Sequence, residues 1–454
     1  MRMIKRSVAG ILGLLALTAC GDLEVMNYNQ PSVDELLANP TRTNIAASSQ
    51  GLLRTSRGNA AFMVQWMGAL GREGYPMATS GASLTGTVQN RLNGGNFPGN
   101  SLWTDPYRNI RNANLLYEAL ALTDELSATE REAALGFAKT IQAYDFLNVI
   151  LTRWKFGAPI DVGGDPTDTP PPFASREQVL AHIVQLLDEA QGHLAAGGDA
   201  FPFRLHSGLT EFDTPTRFIP FNRALRARVA VYTEDWPGAL QALEASFLDT
   251  DLPLDWGARH VFSTGSGDAS NPLNRPDLLY AHPRIRDDAQ RRADGSPDLR
   301  AQTKVTTVPA FTVSGITSDA QYTLYTSPSA PLVWIKNEEL ILLRAQANLG
   351  LGRLNEVRDD LNLIRTVSGG LEPIDTLDPG ELLDEILYNK RYSLIWEGGH
   401  VWIDMRQYGR IGEIPVSAAD PILNDAMPVP ANECFSRSPE PAGCGEIAPV
   451  SGGS

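Results

Sequence analysis

Residues 335–365 read IKNEELILLRAQANLGLGRLNEVRDDLNLIR, and this stretch shows the pattern that decides the fold. Apolar residues in its second half recur at steps of three and four, which is the spacing of one face of an α-helix. Gly350-Leu351-Gly352 interrupts the pattern and predicts a turn between two helices. The stretch is therefore predicted to form a helical hairpin, close in length to the roughly 34-residue period of tetratricopeptide repeats. The apolar face of the second helix consists of Leu354, Val357, Leu361 and Ile364.

A second helical hairpin is predicted over Phe221–Phe247, where Asp235-Trp236-Pro237 turns the chain. Neither hairpin can bury its apolar face alone, so we expect the two to stack as neighbouring repeats do. Small residues on both hairpins permit close contact between helices. Two helical hairpins without a repeat relation are the alternative interpretation. The small residues are Ala239, Ala242, Ala245, Ala345 and Ala347.

Capping residues mark the starts of three further helices. Ser127-x-x-Glu130 and Ser175-x-x-Gln178 are capping boxes, in which each side chain binds the backbone N–H of the other residue. Asp378-Pro379 predicts an N-cap followed by proline in the first turn, and a helix that runs to about Trp396. Strand-like alternation is sparse and occurs mainly over Lys304–Val313. Together these patterns predict a mainly α-helical protein.

The N-terminus has the features of a signal peptide. Basic residues precede an apolar run, Val8–Leu17, which is too short for a membrane-spanning helix of about 20 residues. The run ends in Leu17-Thr18-Ala19-Cys20, which resembles the lipobox of bacterial lipoproteins. This resemblance implies removal of residues 1–19, lipidation of Cys20 and attachment to a membrane by the lipid. An ordinary secretory signal followed by an incidental cysteine is the alternative.

Composition and motifs argue against several classes of function. The net charge of −15 disfavours nucleic acid as the main partner, because such binding needs a basic face. The sequence lacks the common zinc-protease, P-loop, nucleophile-elbow and dinucleotide-binding motifs. We therefore predict no catalytic residue, no metal site and no cofactor.

The two cysteines that remain after Cys20, Cys434 and Cys444, bracket a short loop that contains proline and glycine. Disulfides persist beyond the inner membrane, so we predict that these cysteines form one. Two free thiols are the alternative.

Several motifs in one order resemble the SusD/RagB family of outer-membrane nutrient-uptake lipoproteins. WTDPYRNIRNAN at 103–114 is similar to the family's W-x-x-x-Y-x-x-I-x-x-A-N helix, and predicts buried hydrogen-bond partners for Asn114. KRYSLIWEGGH at 390–400, followed by DMR, is similar to its E-R-x-x-E-L-x-x-E-G-x-R-x-x-D-L-R stretch. PVPANE at 428–433 is similar to its closing P-I-P-x-x-E. AYDFL at 143–147, leading to FGAP at 156–159, resembles its R-A-x-x-Y-x-x-L…Y-G-x-x-P passage, with Gln142 in place of Arg and Phe156 in place of Tyr. The other residues that depart from the family's pattern are Lys390, Ser393 and His400.

The resemblance implies a SusD-like domain over residues 20–454, with a tetratricopeptide-like scaffold and an irregular lobe for ligand. The scaffold is expected at about 100–248 and 335–400, and the loop-rich parts at about 72–100, 156–175 and 249–334. It also implies a non-enzymatic lipoprotein on the outer-membrane surface that delivers an oligosaccharide, or a peptide, to a SusC-like TonB-dependent transporter.

A sugar-binding platform needs exposed aromatic rings flanked by polar side chains, and the loop-rich parts contain this mixture. We interpret the tryptophans within helical or family motifs as core residues instead. These are Trp103, Trp236, Trp334, Trp396 and Trp402. The candidate ligand-binding residues are Arg72, Tyr75, Asn93, Asn96, Phe97, Trp256, Tyr322 and Tyr325.

Two other functions compete with nutrient binding. A tetratricopeptide-type lipoprotein that scaffolds envelope proteins would bind proteins or peptides and lack an aromatic platform. A helical glycan-cleaving enzyme would place two carboxylates about 5–9.5 Å apart in a cleft.

Overall fold

The computed structural model describes residues 33–95, 97–163 and 169–450. The predicted signal peptide and the predicted lipidation site, Cys20, lie outside these residues. Within the described ranges, no helix combines the length and the apolar character needed to cross a membrane.

The protein is built mainly from α-helices, as the sequence predicts. Shorter helical turns of π and 3-10 type occur at Thr85–Gln89, Pro98–Asn100, Trp154–Phe156, Ser207–Phe212 and Ile411–Glu413. The α-helices are α1 Val33–Ala38, α2 Arg42–Leu70, α3 Ala82–Leu84, α4 Ser101–Leu122, α5 Ala128–Arg153, α6 Arg176–Ala195, α7 Pro215–Tyr232, α8 Trp236–Glu244, α9 Arg284–Asp287, α10 Leu299–Lys304, α11 Asn337–Gly350, α12 Leu354–Val367, α13 Pro379–Ser393, α14 His400–Gln407 and α15 Ala431–Phe435.

Both predicted hairpins are present and stack on each other. Helices α7 and α8 form the first hairpin and α11 and α12 the second, with α8 and α7 both packed on α11. Arg228 of α7 donates to both carboxylate oxygens of Glu339 of α11, at 2.7 and 2.8 Å. A Cβ atom at Gly350 would lie 2.4 Å from the Trp236 ring, so only glycine allows the hairpins to approach this closely.

The boundaries of two predicted helices need correction. The second hairpin begins at Asn337 rather than Ile335, because the preceding residues form a strand that pairs with another strand. Helix α13 ends at Ser393 rather than near Trp396. Trp396 has a φ of 57°, and its backbone N–H donates to the buried Glu73 carboxylate at 2.8 Å, which holds the chain outside the helix.

The predicted capping residues all act as caps. Ser127 with Glu130, and Ser175 with Gln178, form reciprocal capping boxes at α5 and α6. Asp378 accepts from the backbone N–H groups of Gly380 and Glu381 at the start of α13.

The strands lie mostly in the predicted loop-rich part that follows α8. They are β1 Gly74–Pro76, β2 Gly257–His260, β3 Leu279–Ala281, β4 Val305–Val313, β5 Ile316–Tyr322 and β6 Leu332–Lys336. The alternating segment near Lys304 forms β4 and pairs antiparallel with β5. One sheet has the order β1-β3-β5-β4, and β2 pairs with β6 in a second.

The buried hydrophobic residues of the described chain form several clusters, and the largest lies mainly between the helices of the scaffold. Four of the five tryptophans interpreted as core residues are buried: Trp103, Trp334, Trp396 and Trp402. Trp236 is half-buried against the hairpin interface. The limits of the predicted SusD-like domain, residues 20–454, stay a prediction.

Candidate functional site

A cavity of about 620 Å³ opens beside the first two turns of α4. Ligand pockets for small molecules and cofactors have volumes of about 300–1,000 Å³. Three other segments complete the lining: Gly94-Gly95, the loop between α5 and α6, and the C-terminal segment around α15. The cavity therefore lies where one rigid helix meets three irregular segments.

Helix α4 supplies the aromatic part of the lining. Trp103 and Tyr107 are one turn apart, which places them on the same face, and their ring centres are 4.7 Å apart. Trp103 also stacks on Phe173 at 5.6 Å. The hydroxyl of Tyr107 donates to the carbonyl oxygen of Pro159 at 2.8 Å, which anchors the following loop to the helix.

A buried arginine, Arg153, contacts the aromatic lining from the interior of the protein. The guanidinium of Arg153 lies 5.3 Å from the Trp103 ring centre and donates to the backbone oxygens of Leu102 and Pro428, each at 3.2 Å. Burial lowers the pKa of Arg153 to about 9, because the charged form loses its hydration. Arg153 therefore connects α5, the start of α4 and the C-terminal segment in one place.

The loop between α5 and α6 is closed at its base and tied to α4. Ala158 and Ala174 exchange backbone hydrogen bonds at 3.1 and 3.0 Å. Gly157 begins the loop with a φ of 71°, and a Cβ there would lie 2.0 Å from the carbonyl oxygen of Ala174. Asn114 donates to the carbonyl oxygen of Val162 and accepts from Gln142 at 2.6 Å, which confirms the predicted partners for its amide.

The C-terminal segment forms the opposite wall. Ala431 donates its backbone N–H to the carbonyl oxygen of Gly94 at 3.1 Å. Cys434 and Cys444 form a disulfide, the pairing that the sequence predicts. Glu433 and Arg437, one helical turn apart, form an ion pair with an Nε–Oε1 distance of 2.7 Å. The guanidinium of Arg437 also lies 4.9 Å from the centre of the Phe173 ring.

Polar side chains surround the aromatic part, and the described cavity carries both signs of charge. Exposed polar groups include Thr104, Arg111, Asp161, Asn432 and Ser436. Apolar lining with a few placed polar groups is typical of ligand-binding pockets. Such a surface can contact the C–H face of a sugar ring while donating to and accepting from its hydroxyl groups.

A second cavity of similar volume, about 630 Å³, offers a different lining. Its tryptophan, Trp154, is already in contact with two guanidinium groups, those of Arg176 at 4.6 Å and Arg406 at 4.2 Å. Protein groups contact Trp103 in the same way, so these contacts do not distinguish the two cavities. The linings differ in charge, because six of the thirteen residues that line the second cavity are charged and only four of the twenty that line the cavity beside α4 are. The less charged lining favours the cavity beside α4 as the candidate site for a neutral ligand.

Two of the predicted ligand residues lie next to the cavity. Asn93 is half-buried and accepts from the backbone N–H of Gly95 at 2.9 Å, which shapes the glycine pair that lines the cavity. Phe97 is buried and packs against Gly99. Asn96 lies outside the described residues.

Arg72 and Tyr75 come together elsewhere, on the carboxylate of Asp420. The Nε of Arg72 and the hydroxyl of Tyr75 donate to the same oxygen, at 3.0 and 2.6 Å. Both side chains are buried, so their polar atoms are used within the protein. Tyr75 and Asp420 also line a smaller cavity of about 290 Å³.

The remaining three predicted residues are not grouped in one site. Trp256 is half-buried and lines a cavity of about 340 Å³. Tyr322 is buried, stacks on Trp396 at 4.9 Å and donates to the carbonyl oxygen of Glu73. Tyr325 is buried and donates to the carbonyl oxygen of Trp396. Ligand binding by these side chains stays a prediction, and the two buried tyrosines would have to leave their partners first.

The C-terminal wall and the start of α4 are not among the ligand residues that the sequence predicts. Trp103 lies in a helical motif, which predicts a core residue, and it is buried but also lines the cavity. The family motif at 428–433 and the cysteine at 434 do not by themselves indicate ligand contact. The cysteine pair is a local signal for this wall, because a disulfide orders an irregular segment.

Comparison with known proteins identifies the fold. No protein-family model matches the chain, and no curated protein matches it. Solved structures do match. A laminarin-binding SusD-like protein has a TM-score of 0.69 at 15% identity, covering 89% of this chain and 99% of that chain. A SusD superfamily protein from Bacteroides vulgatus has a TM-score of 0.68 at 17% identity, covering 90% and 100%.

A SusD-like carbohydrate-binding protein from the same organism has a TM-score of 0.63 at 17% identity, covering 80% of this chain and 83% of that chain. The fold of this chain is thus that of SusD-like proteins, mainly helical with tetratricopeptide-like pairs. The resemblance inferred from the sequence motifs is confirmed at the level of the fold.

Proposed function

We propose that this chain is a cell-surface lipoprotein that binds an oligosaccharide and delivers it to a SusC-like TonB-dependent transporter. The observation that carries the proposal is the cavity beside α4, where Trp103 and Tyr107 are bordered by exposed polar side chains. Neighbours of the same fold include proteins described as binding laminarin and carbohydrate. The lipobox-like end of the signal peptide supports the lipid anchor, and the absence of catalytic motifs supports binding without chemistry.

Glycan binding is tested first. Native affinity electrophoresis would measure retention of the purified chain by laminarin, starch, xyloglucan, levan and mucin glycans. We expect one of them to retard the wild type, and Asp161→Ala with Asn432→Ala to weaken that retardation, since both side chains border the cavity. Glu177→Ala, at an exposed position that lines the second large cavity, is the control and should not change the retardation. Retention that is insensitive to the cavity variants would place binding elsewhere.

Two further measurements separate the alternatives. Release of reducing ends from the retained polysaccharide would indicate a glycan-cleaving enzyme, and we expect none. Gentle solubilisation of the outer membrane from the native host should recover the tagged chain with a TonB-dependent barrel at near-equal stoichiometry. Recovery with soluble envelope proteins instead would favour a tetratricopeptide-type scaffold.

A further inference from the structure

We propose that Phe435 is an aromatic platform outside the cavity, on which a second part of a bound glycan stacks. The chain would then select oligosaccharides over single sugars, because only a longer ligand reaches both the cavity and Phe435. This inference rests on the proposed glycan-binding function and adds a specificity-determining residue to it.

Phe435 differs from the other large apolar side chains at the surface. It is 79% exposed, and the other large hydrophobic residues that are exposed in the described chain are aliphatic. No other ring and no cation packs on its ring within the described part of the chain. A single exposed apolar residue is common on protein surfaces, so exposure alone does not assign a role. What distinguishes this ring is its position. The aliphatic residues are Leu122, Leu299, Val367, Leu377 and Val416.

Phe435 does not itself line the cavity, but its neighbours on α15 and in the chain do. It is the last residue of α15, and Asn432, three residues earlier, and Ser436, the next residue, both line the cavity. Residues three apart on a helix are neighbours on its surface. Phe435 and Asn432 therefore form an adjacent aromatic and amide pair, both exposed to solvent.

The segment that carries Phe435 is held in place from both sides. Its neighbour Cys434 is bonded to Cys444, and Cys434 itself is buried. The backbone of Ala431 is tied to Gly94, and that of Val429 to Gly443 at 2.9 Å. A contact that is already ordered before binding loses little conformational entropy when the ligand arrives. An exposed ring on an ordered segment is thus suited to ligand contact.

The charges beside Phe435 cancel. Glu433 and Arg437 pair with each other, and Arg437 also donates to the carbonyl oxygen of Pro171. A phenyl ring next to a neutralised ion pair offers a flat apolar face and no net charge. This chemistry fits the C–H face of an uncharged sugar residue.

The test compares ligand length in matched variants. Calorimetric titration would measure the affinity of the wild type, Phe435→Ala and Phe435→Trp for the disaccharide and the hexasaccharide of whichever panel polysaccharide the wild type retains. Leu122→Ala, which removes an exposed apolar side chain at the far end of α4, is the control. Thermal unfolding of every variant would verify that the fold is unchanged, as expected for a side chain exposed to this degree.

We expect Phe435→Ala to lower the affinity for the hexasaccharide about ten-fold or more, the size of effect that an aromatic anchor shows in binding interfaces. The affinity of Phe435→Ala for the disaccharide should change by less than about two-fold. Phe435→Trp should keep the affinity of the wild type for the hexasaccharide. An equal loss for both lengths would indicate damage to the cavity and overturn the proposal, as would no loss at all. Wild type that binds no glycan in the panel would instead refute the proposed function, and this inference with it.

Discussion

The helical hairpins and the C-terminal wall of the cavity are stabilised in different ways. The hairpins are joined by buried side chains, with Arg228 and Glu339 paired at their interface and Gly350 packed on Trp236. The wall is held by a few backbone hydrogen bonds and the Cys434–Cys444 disulfide, and it leaves the side chains of Asn432, Phe435 and Ser436 exposed. Stability is concentrated in the first region, which leaves the second free to present polar and aromatic groups to a ligand.

The largest effect is expected from breaking the ion pair between the hairpins. In Glu339→Ala the guanidinium of Arg228 stays buried without its carboxylate, and removing one partner of such a pair destabilises by about 3–5 kcal/mol. Urea unfolding would measure the free energy of unfolding. The matched control is Glu211→Ala, whose ion pair with Arg217 is exposed and contributes at most about 1 kcal/mol. Similar losses in both variants would contradict the comparison.

The next effect concerns the wall. Replacing both Cys434 and Cys444 with serine removes a short closed loop, which costs roughly 2–3 kcal/mol in the loop-entropy model. We expect a lower melting temperature and weaker glycan retention, since the segment that borders the cavity becomes less ordered. The helical signal in circular dichroism should stay unchanged below the transition. A loss of helix at that temperature would mean that the disulfide supports the scaffold as well.

A smaller effect is expected from replacing glycine with alanine at two helix positions, one closely packed and one with free space around it. Gly350→Ala places a Cβ 2.4 Å from the Trp236 ring and should destabilise by about 1–3 kcal/mol through overpacking. Gly192→Ala, within α6, meets nothing within 4 Å and should stabilise by up to about 1 kcal/mol, because alanine favours helix. A lower melting temperature for Gly350→Ala and a higher one for Gly192→Ala would confirm that packing at the hairpin interface, and not helix propensity, determines the effect of substituting Gly350. The same sign for both would contradict it.

The last effect is measured per pH unit and concerns a pH dependence within the scaffold. Asp145 accepts from Ser56 at 3.0 Å and Asn109 at 2.6 Å, and burial raises its pKa to about 7. Between about pH 4 and 7 the unfolded chain has lost this proton while the folded chain keeps it. Stability therefore falls as the pH rises, by up to about 1.4 kcal/mol per pH unit from this group.

Asp145→Asn should make the slope of the free energy of unfolding against pH less negative than in the wild type, as measured by urea unfolding at several pH values in that window. Other buried groups contribute equally to both chains: Glu73, whose pKa burial raises to about 7, adds to the decline, whereas His260 and His400, whose pKa values burial lowers, oppose it. The prediction therefore concerns the difference between the two slopes. An unchanged slope in Asp145→Asn would show that Asp145 is ionised throughout the window.

The scaffold was predictable because its signals are local. Capping at Ser127, Ser175 and Asp378 depends on residues within one turn, and the hairpin turns are marked by glycine or proline. The early end of α13 was not predictable, since it depends on Glu73, which is more than three hundred residues away in the chain. Contacts between distant segments leave no periodic pattern in the sequence.

The candidate site was predicted less well for the same reason. Two of the three predicted loop-rich parts contribute to the cavity, but most of the aromatic residues chosen within them are buried. The hydroxyl of buried Tyr75 donates to Asp420, and that of buried Tyr325 donates to the carbonyl oxygen of Trp396. Whether an aromatic side chain in a loop is exposed depends on such partners, which the local sequence does not reveal.

The decisive measurement is a crystal structure of the chain with the hexasaccharide of the retained polysaccharide. We expect sugar density in the cavity beside α4, with one residue of the glycan near Trp103 and Tyr107 and another on the ring of Phe435. Density at a different cavity, such as those lined by Trp256 or Tyr75, with the cavity beside α4 empty, would contradict it.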